Sequence, residues 1–195
     1  MLEFTEIIKE PPIIGFDYDV TGMDTSYQRE EVSDPSVQGY SHDHQNLRRV
    51  FHGESKEFNS FKSTITESIP AIVEKFIRMD QEQKISPHRW PSHEVDSIAK
   101  RIRLQLLPVI DMPGFKLGSH IDQRSWFATG LLNVSDNVSV TRFTKKKRSL
   151  ITPSYYKAEG RAGKGVLWLN TESTWHHMER VPHERKIIQI NLLLI

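Results

Sequence analysis

The sequence predicts a mainly β chain with flanking helices, an α+β arrangement whose strands form a sandwich, barrel or jelly roll. Three observations carry this reading. Short apolar runs of strand length crowd the second half of the chain, between Ile102 and Leu194. Turn-forming pairs, Pro113-Gly114 and Asp136-Asn137, punctuate them. Ahead of them lies one apolar stripe at helical spacing.

Taken in order, residues 1–52 mix short apolar pieces (Ile7-Ile8, Ile13-Ile14) with Pro11-Pro12, Gly15, Gly22, Pro35 and Gly39, so no period survives for long. They read as an irregular N-terminal arm packed on a domain spanning residues 53–195. Phe58, Phe61, Ile65, Ile69, Ile72 and Phe76 then recur at steps of three and four, which predicts a helix from about Glu54 to Met79. Pro70 should kink or split it. A second, short helix is expected over Val95, Ile98, Ala99 and Ile102, with Ser92 as its N-cap. From Ile102 the pattern turns to β: Ile102 to Leu106 alternates, and Val166-Leu167-Trp168-Leu169 and Ile187 to Leu194 are apolar runs. There is no internal repeat and no low-complexity tract.

Composition narrows the chemistry. With 26 Lys and Arg against 25 Asp and Glu, the net charge of +1 encodes no global attraction to nucleic acid or anionic membrane. Lys145-Lys146-Lys147-Arg148 is the one charge run, read as a solvated hairpin tip. The absence of cysteine removes disulfides, thiolate metal sites and thiol nucleophiles, so any metal must be held by His, Asp or Glu. The start of the chain has acidic residues where a signal peptide is basic, and no apolar run approaches the roughly 20 residues of a membrane helix. A soluble, cytoplasmic protein is expected.

The informative segment is Gly118-Ser119-His120-Ile121-Asp122. Side chains two apart on a strand share a face, so His120 and Asp122 can converge on one point. Further on, Trp175-His176-His177 follows another predicted strand, and Arg185 opens the last one. Two histidines and a carboxylate with open coordination positions make the facial triad of non-haem Fe(II) oxygenases. His176 and His177 are adjacent, and on an extended segment only one of them can face the metal. His42-Asp43-His44 also has metal-like spacing but lies in the arm, and His52, His88, His93 and His183 have no such company.

These motifs resemble the Fe(II)- and 2-oxoglutarate-dependent dioxygenase superfamily, and within it the prolyl-hydroxylase-like branch. The likeness runs from Pro113 to the end of the chain. Pro113 to Asp122 is similar to the family's turn and strand leading to its first two iron ligands, and Leu131-Leu132-Asn133-Val134 stands where its next core strand lies. Gly165 to His176 resembles its strand, polar loop and distal histidine. Arg185 lies nine residues after His176, where the family places the residue that binds the distal carboxylate of 2-oxoglutarate; Lys186 would serve if the register shifted by one. Two places depart from the family: Ser139 to Phe143 keeps Thr141 and Phe143 of a glycine-rich motif but not its glycines, and Trp126 stands where relatives have Lys.

The resemblance implies a double-stranded β-helix, a cupin-like jelly roll, holding Fe(II) on His120, Asp122 and His176, with 2-oxoglutarate at Arg185 and O2 as the oxidant. It implies hydroxylation of an amino-acid or peptide substrate, or another small molecule, with succinate and CO2 as co-products. The Asp122 carboxylate fills the position that related halogenases leave open for chloride, which favours hydroxylation. The rival readings are a 2-oxoglutarate-independent cupin-type metalloenzyme, whose sites are richer in histidine, and a non-catalytic jelly-roll binding protein. Arg103, Gln105, Arg124, Trp126, Tyr155 and Tyr156 are candidates to face substrate; oligomeric state is not legible.

Overall fold

A computed structural model of the protein describes residues 2–26, 48–50, 53–83, 94–123, 126–144 and 154–195. The elements run β1 (Thr5–Ile8), β2 (Ile13–Asp17), β3 (Arg48–Val50), α1 (Lys56–Gln83), α2 (Val95–Lys100), β4 (Ile102–Asp111), β5 (Leu117–His120), β6 (Trp126–Asn133), β7 (Thr141–Thr144), β8 (Ser154–Lys157), β9 (Lys164–Leu169), β10 (Trp175–Met178) and β11 (Arg185–Leu194). They form a seven-stranded sheet, β1-β2-β9-β6-β11-β4-β3, and a four-stranded sheet, β5-β10-β7-β8. All pairings are antiparallel.

The large sheet is covered on both faces, and its strands show why they read as continuous apolar runs rather than alternating ones. Along β9, Leu167 and Leu169 join the core beneath the helix, while Val166 and Trp168 join the core shared with the small sheet. Ile14 and Ile13 on β2, Leu132 and Leu131 on β6, Ile110 and Val109 on β4, and Ile188 and Ile187 on β11 divide in the same way. Phe143 on β7 enters the second core from the opposite side, so two sheets enclose one interior and a helix lies on the outer face of the larger. Gly130 is needed where β6 crosses close to β9: a Cβ there would stand 2.4 Å from both the Val166 carbonyl and the Leu167 side chain.

α1 buries the stripe read from the sequence, Phe58, Phe61, Ile65, Ile69, Ile72 and Phe76. At about 1.5–3 kcal/mol per large apolar side chain, this face docks the helix. The Ser55 hydroxyl accepts the Phe58 N–H at 3.1 Å and caps the start. Of the kink or split expected at Pro70, the split does not occur, and the helix runs on to Gln83. Pro70 and Thr66 both lie on the exposed face, so the carbonyl of Thr66, which loses its donor to the proline ring, turns toward water.

Two further expectations are corrected. The short helix covers only Val95–Lys100, opening at Glu94 without a side-chain cap, and Ile102 already belongs to β4; Ser92 lies outside the described residues. The arm is not irregular throughout: β1 and β2 form a hairpin on one edge of the large sheet and β3 closes the other. The adjacent pairs Ile7-Ile8 and Ile13-Ile14 hid these strands, because residues that point to two buried faces leave no alternation to read. Pro11-Pro12 sits in the connecting turn, where a missing N–H costs no ladder bond.

Candidate metal centre

Strand ends deliver three side chains to one point inside the sandwich. Gly114, at a φ of 97°, makes the turn before β5, and its N–H meets the Val181 carbonyl at 2.7 Å. β5 then pairs with β10 so that His120 and His176 are direct cross-strand partners, with ring centroids 4.2 Å apart. Asp122 lies two residues past His120, beyond the end of the strand rather than within it, yet its carboxylate still turns back toward both rings. Ligand atoms of His120, Asp122 and His176 all lie within 4.8 Å of one another.

Each histidine is held in one tautomer. Nδ1–H of His120 donates to the Gly118 carbonyl at 2.8 Å, and Nδ1–H of His176 to the Thr174 carbonyl at 3.1 Å. Both Nε2 atoms therefore face Asp122, at 3.7 Å for His120 and 3.6 Å for His176. Those separations exceed a hydrogen bond but match neighbouring ligands on one ion, since bonds of about 2.0–2.2 Å set such ligands about 3–4 Å apart. The set fits a divalent metal with open positions.

Electrostatics agree with that use. Burial pulls His176 down to about 4, so its ring is neutral at physiological pH. Burial works against the charge of Asp122, but His176, His120 and the Trp168 indole outweigh it and hold the carboxyl down at about 2. For His120 burial opposes protonation, yet Asp122 and the Gly118 carbonyl prevail and raise its pKa.

A cavity of about 370 Å³ opens beside the three ligands. Its walls are Leu117, Thr141 and Met178 of the small sheet and Thr129, Gly130, Leu131, Trp168, Ile187 and Gln189 of the large one, with Ile121, Gln123 and Trp126 near the triad. Arg185 lines it as well. Arg185 and Arg48 are the cross-strand partners of Asp111 from β11 and β3, forming one lateral row. The fully buried Asp111 carboxylate receives Arg48 Nε at 2.6 Å and Arg185 Nη1 at 3.4 Å. Two guanidinium groups thus meet one carboxylate on this wall. Arg48 also lies over the Phe115 ring, 4.6 Å from its centroid, and its charge reaches His120.

The alternatives left open by the sequence take different places in the fold. Lys186 points to the other side of β11, where Nζ meets Thr25 Oγ1 at 3.2 Å and Glu184 at 3.1 Å. His177 is buried but stands outside the ligand cluster, paired in register with Arg142. His183 is exposed. Of the substrate-facing candidates, Trp126 lines the cavity, Tyr156 lines a different groove, and Tyr155 packs against Phe143. Arg103 is exposed and Gln105 bonds Asn191 at 2.9 Å. Arg124, His42, Asp43, His44, His52, His88, His93 and Lys145 to Arg148 lie outside the described residues. Arg48, Asp111 and Trp168 were missed as site residues, because their roles arise from cross-strand placement that no local motif carries.

No family model and no curated protein sequence matches the chain. Among solved structures it is similar to a prolyl-4-hydroxylase from Pseudomonas putida, at 12% identity over 67% of this chain and 82% of that one, with a TM-score of 0.41. It is similar also to a prolyl hydroxylase from Trichoplax adhaerens, solved with a hypoxia inducible factor oxygen degradation domain peptide fragment, at 12% identity, 75% and 61% coverage and a TM-score of 0.45. A third likeness is to YcfD, a ribosomal oxygenase from Escherichia coli solved in complex with cobalt and 2-oxoglutarate, at 14% identity, 63% and 29% coverage and a TM-score of 0.37. The chain spans less than two thirds of the last two proteins. Among the described residues no helix is long and apolar enough to cross a membrane.

Proposed function

We propose that the chain is an Fe(II)- and 2-oxoglutarate-dependent oxygenase on a jelly-roll fold that hydroxylates an amino-acid or peptide substrate. The observation that carries the reading is the convergence of two histidine Nε2 atoms and a carboxylate beside a cavity whose wall bears Arg185 and Arg48. His120, Asp122 and His176 would hold the metal. When bound, Fe(II) supplies the chemistry that couples O2 and decarboxylation of 2-oxoglutarate to oxidation of an unactivated C–H bond.

The chain's own residues do the rest. Asp122 contributes the negative charge of the site, and the two carbonyl-anchored histidines would turn their Nε2 atoms to the metal. Arg185 offers a desolvated fork for a carboxylate, with Asp111 holding it in place. The metal at one end of the cavity and the Arg185 guanidinium at its wall would each attract one carboxylate of a dicarboxylate co-substrate. Leu131, Met178 and Ile187 line the cavity with apolar surface, which excludes water from the span between those charges.

The test is turnover of 2-oxoglutarate by protein reconstituted with Fe(II), read as succinate. Free proline, other amino acids, proline-containing peptides and methylated oligonucleotides serve as candidate substrates, with mass spectrometry for a 16 Da gain or for demethylation. Metal binding without succinate under any condition would point to a cupin-type enzyme, and no metal binding to a binding module. Stimulation by methylated oligonucleotides alone would replace the peptide substrate with a nucleobase.

A further inference from the structure

The three candidate ligands are not secured alike. His120 and His176 lie on paired strands, and each is tied to a carbonyl two residues away on its own strand or turn. Asp122 sits in the irregular stretch after β5, where no ladder bond fixes its backbone. What reaches its carboxylate is Trp168, from the opposite sheet: the indole Nε1–H donates to Asp122 Oδ2 at 2.9 Å. The same indole lies against the His176 ring, with centroids 4.9 Å apart, and meets Phe143 edge-on at 5.2 Å.

Trp168 is itself held rigidly. It is 3% exposed, and its strand β9 pairs on both sides, with Ile13 of β2 and Thr129 of β6 as its partners in register. An indole seated in the middle of a sheet has little rotational freedom, so its N–H is a fixed point against which the loop-borne carboxylate is set. Taking the triad as the metal centre, we infer that Trp168 is its positioning residue: the Nε1–H fixes the rotamer of Asp122 while the ring braces His176. The large sheet thereby orients ligands that the small sheet and its loop supply. Hydrogen bonding partners of metal-binding carboxylates and histidines typically govern about 10- to 100-fold in metal affinity.

The test separates the N–H from the ring. Benzothienylalanine, which keeps the indole shape but replaces N–H with sulfur, is incorporated at position 168 alone, and Trp168→Phe is made beside it. Co(II) affinity is measured by chelator competition, together with the visible ligand-field spectrum and the melting temperature of the metal-free protein. The analogue should weaken Co(II) binding about 10- to 100-fold and alter the spectrum, with the metal-free melting temperature held at the wild-type value. Trp168→Phe should show the same loss of affinity with a lower melting temperature. Wild-type affinity and spectrum in the analogue would overturn the role of the N–H while leaving the metal centre intact. Failure of the wild-type protein to bind Co(II), or equal binding by His176→Ala, would overturn the metal centre and this role with it.

Discussion

Replacing Arg185 with methionine tests the proposed co-substrate end of the cavity, and the structure fixes what the change does to the wall. The guanidinium is almost fully buried, its side chain 4% exposed, so its charge acts on the cavity with little solvent screening. Its partner Asp111 is not orphaned by the substitution, because Arg48 Nε remains 2.6 Å away. The usual penalty of about 3–5 kcal/mol for stranding a buried charge therefore does not apply, and Arg185→Met should fold. What changes is the charge of the row, which loses one positive unit. Truncating one partner of a desolvated charge pair costs about 2–5 kcal/mol. Arg48 lines the same cavity and retains part of the attraction, which places the loss near the lower half of that range. We expect 2-oxoglutarate to bind on the order of 100-fold more weakly, with Co(II) affinity unchanged. Calorimetric titration of 2-oxoglutarate into the Co(II)-loaded protein measures it. Arg185→Lys, which keeps the charge but loses the fork, should fall between the two. An unchanged dissociation constant in Arg185→Met, or a loss of equal size in Lys186→Met, would refute the reasoning.

Three further outcomes follow from the same geometry. Alanine at His120, Asp122 or His176 should lower bound iron in the purified protein to a small fraction of wild type, while His177→Ala retains it; metal analysis decides between them. Metal-free stability should decline as pH falls from 6.5 to 4, because unfolded His176 takes up a proton there that the folded ring, held down to about 4, refuses; this amounts to roughly 3 kcal/mol. His120, whose pKa is raised, acts in the opposite sense, with stability present below 6.5 and lost above its folded value. Because the His176 shift is the large one, melting temperatures should still fall with acid in wild type and flatten in His176→Gln. Substituting Gly130 with alanine should destabilise the protein by more than 1 kcal/mol on the order expected for overpacking, since the new methyl would press on the Val166 carbonyl; chemical denaturation measures it.

The parts of the fold legible in the sequence are those where one face is wet. The α1 stripe was readable because its opposite face is polar, and only such a contrast leaves a period. The hairpin of β1 and β2 was not, because Ile13 and Ile14 are both fully buried, on opposite sides of a sheet covered by a helix and by a second sheet. Apolar pairs of this kind carry no direction, and Pro11-Pro12 between them reads as a break in structure although it only shapes a turn.

The candidate site divides along a different line. His120, Asp122 and His176 could be read because each sits in a local pattern: a two-residue step near a strand end, and a histidine after a strand and a polar loop. The step from His176 to Arg185 is short enough to survive as spacing. Asp111 and Arg48 belong to the same chemistry, but Asp111 lies 74 residues from Arg185 and 63 from Arg48. Only the β11-β4-β3 order sets the three side by side. Trp168 gave an even weaker signal, since a tryptophan in an apolar strand has ample reason to be there as core. Its N–H becomes informative once the sandwich closes and places an acceptor 2.9 Å away. The candidate ligands are thus written in short segments, whereas their orientation depends on which strands become neighbours. The residues that decide how the site is held are for that reason spread across the large sheet, outside every motif that announces it.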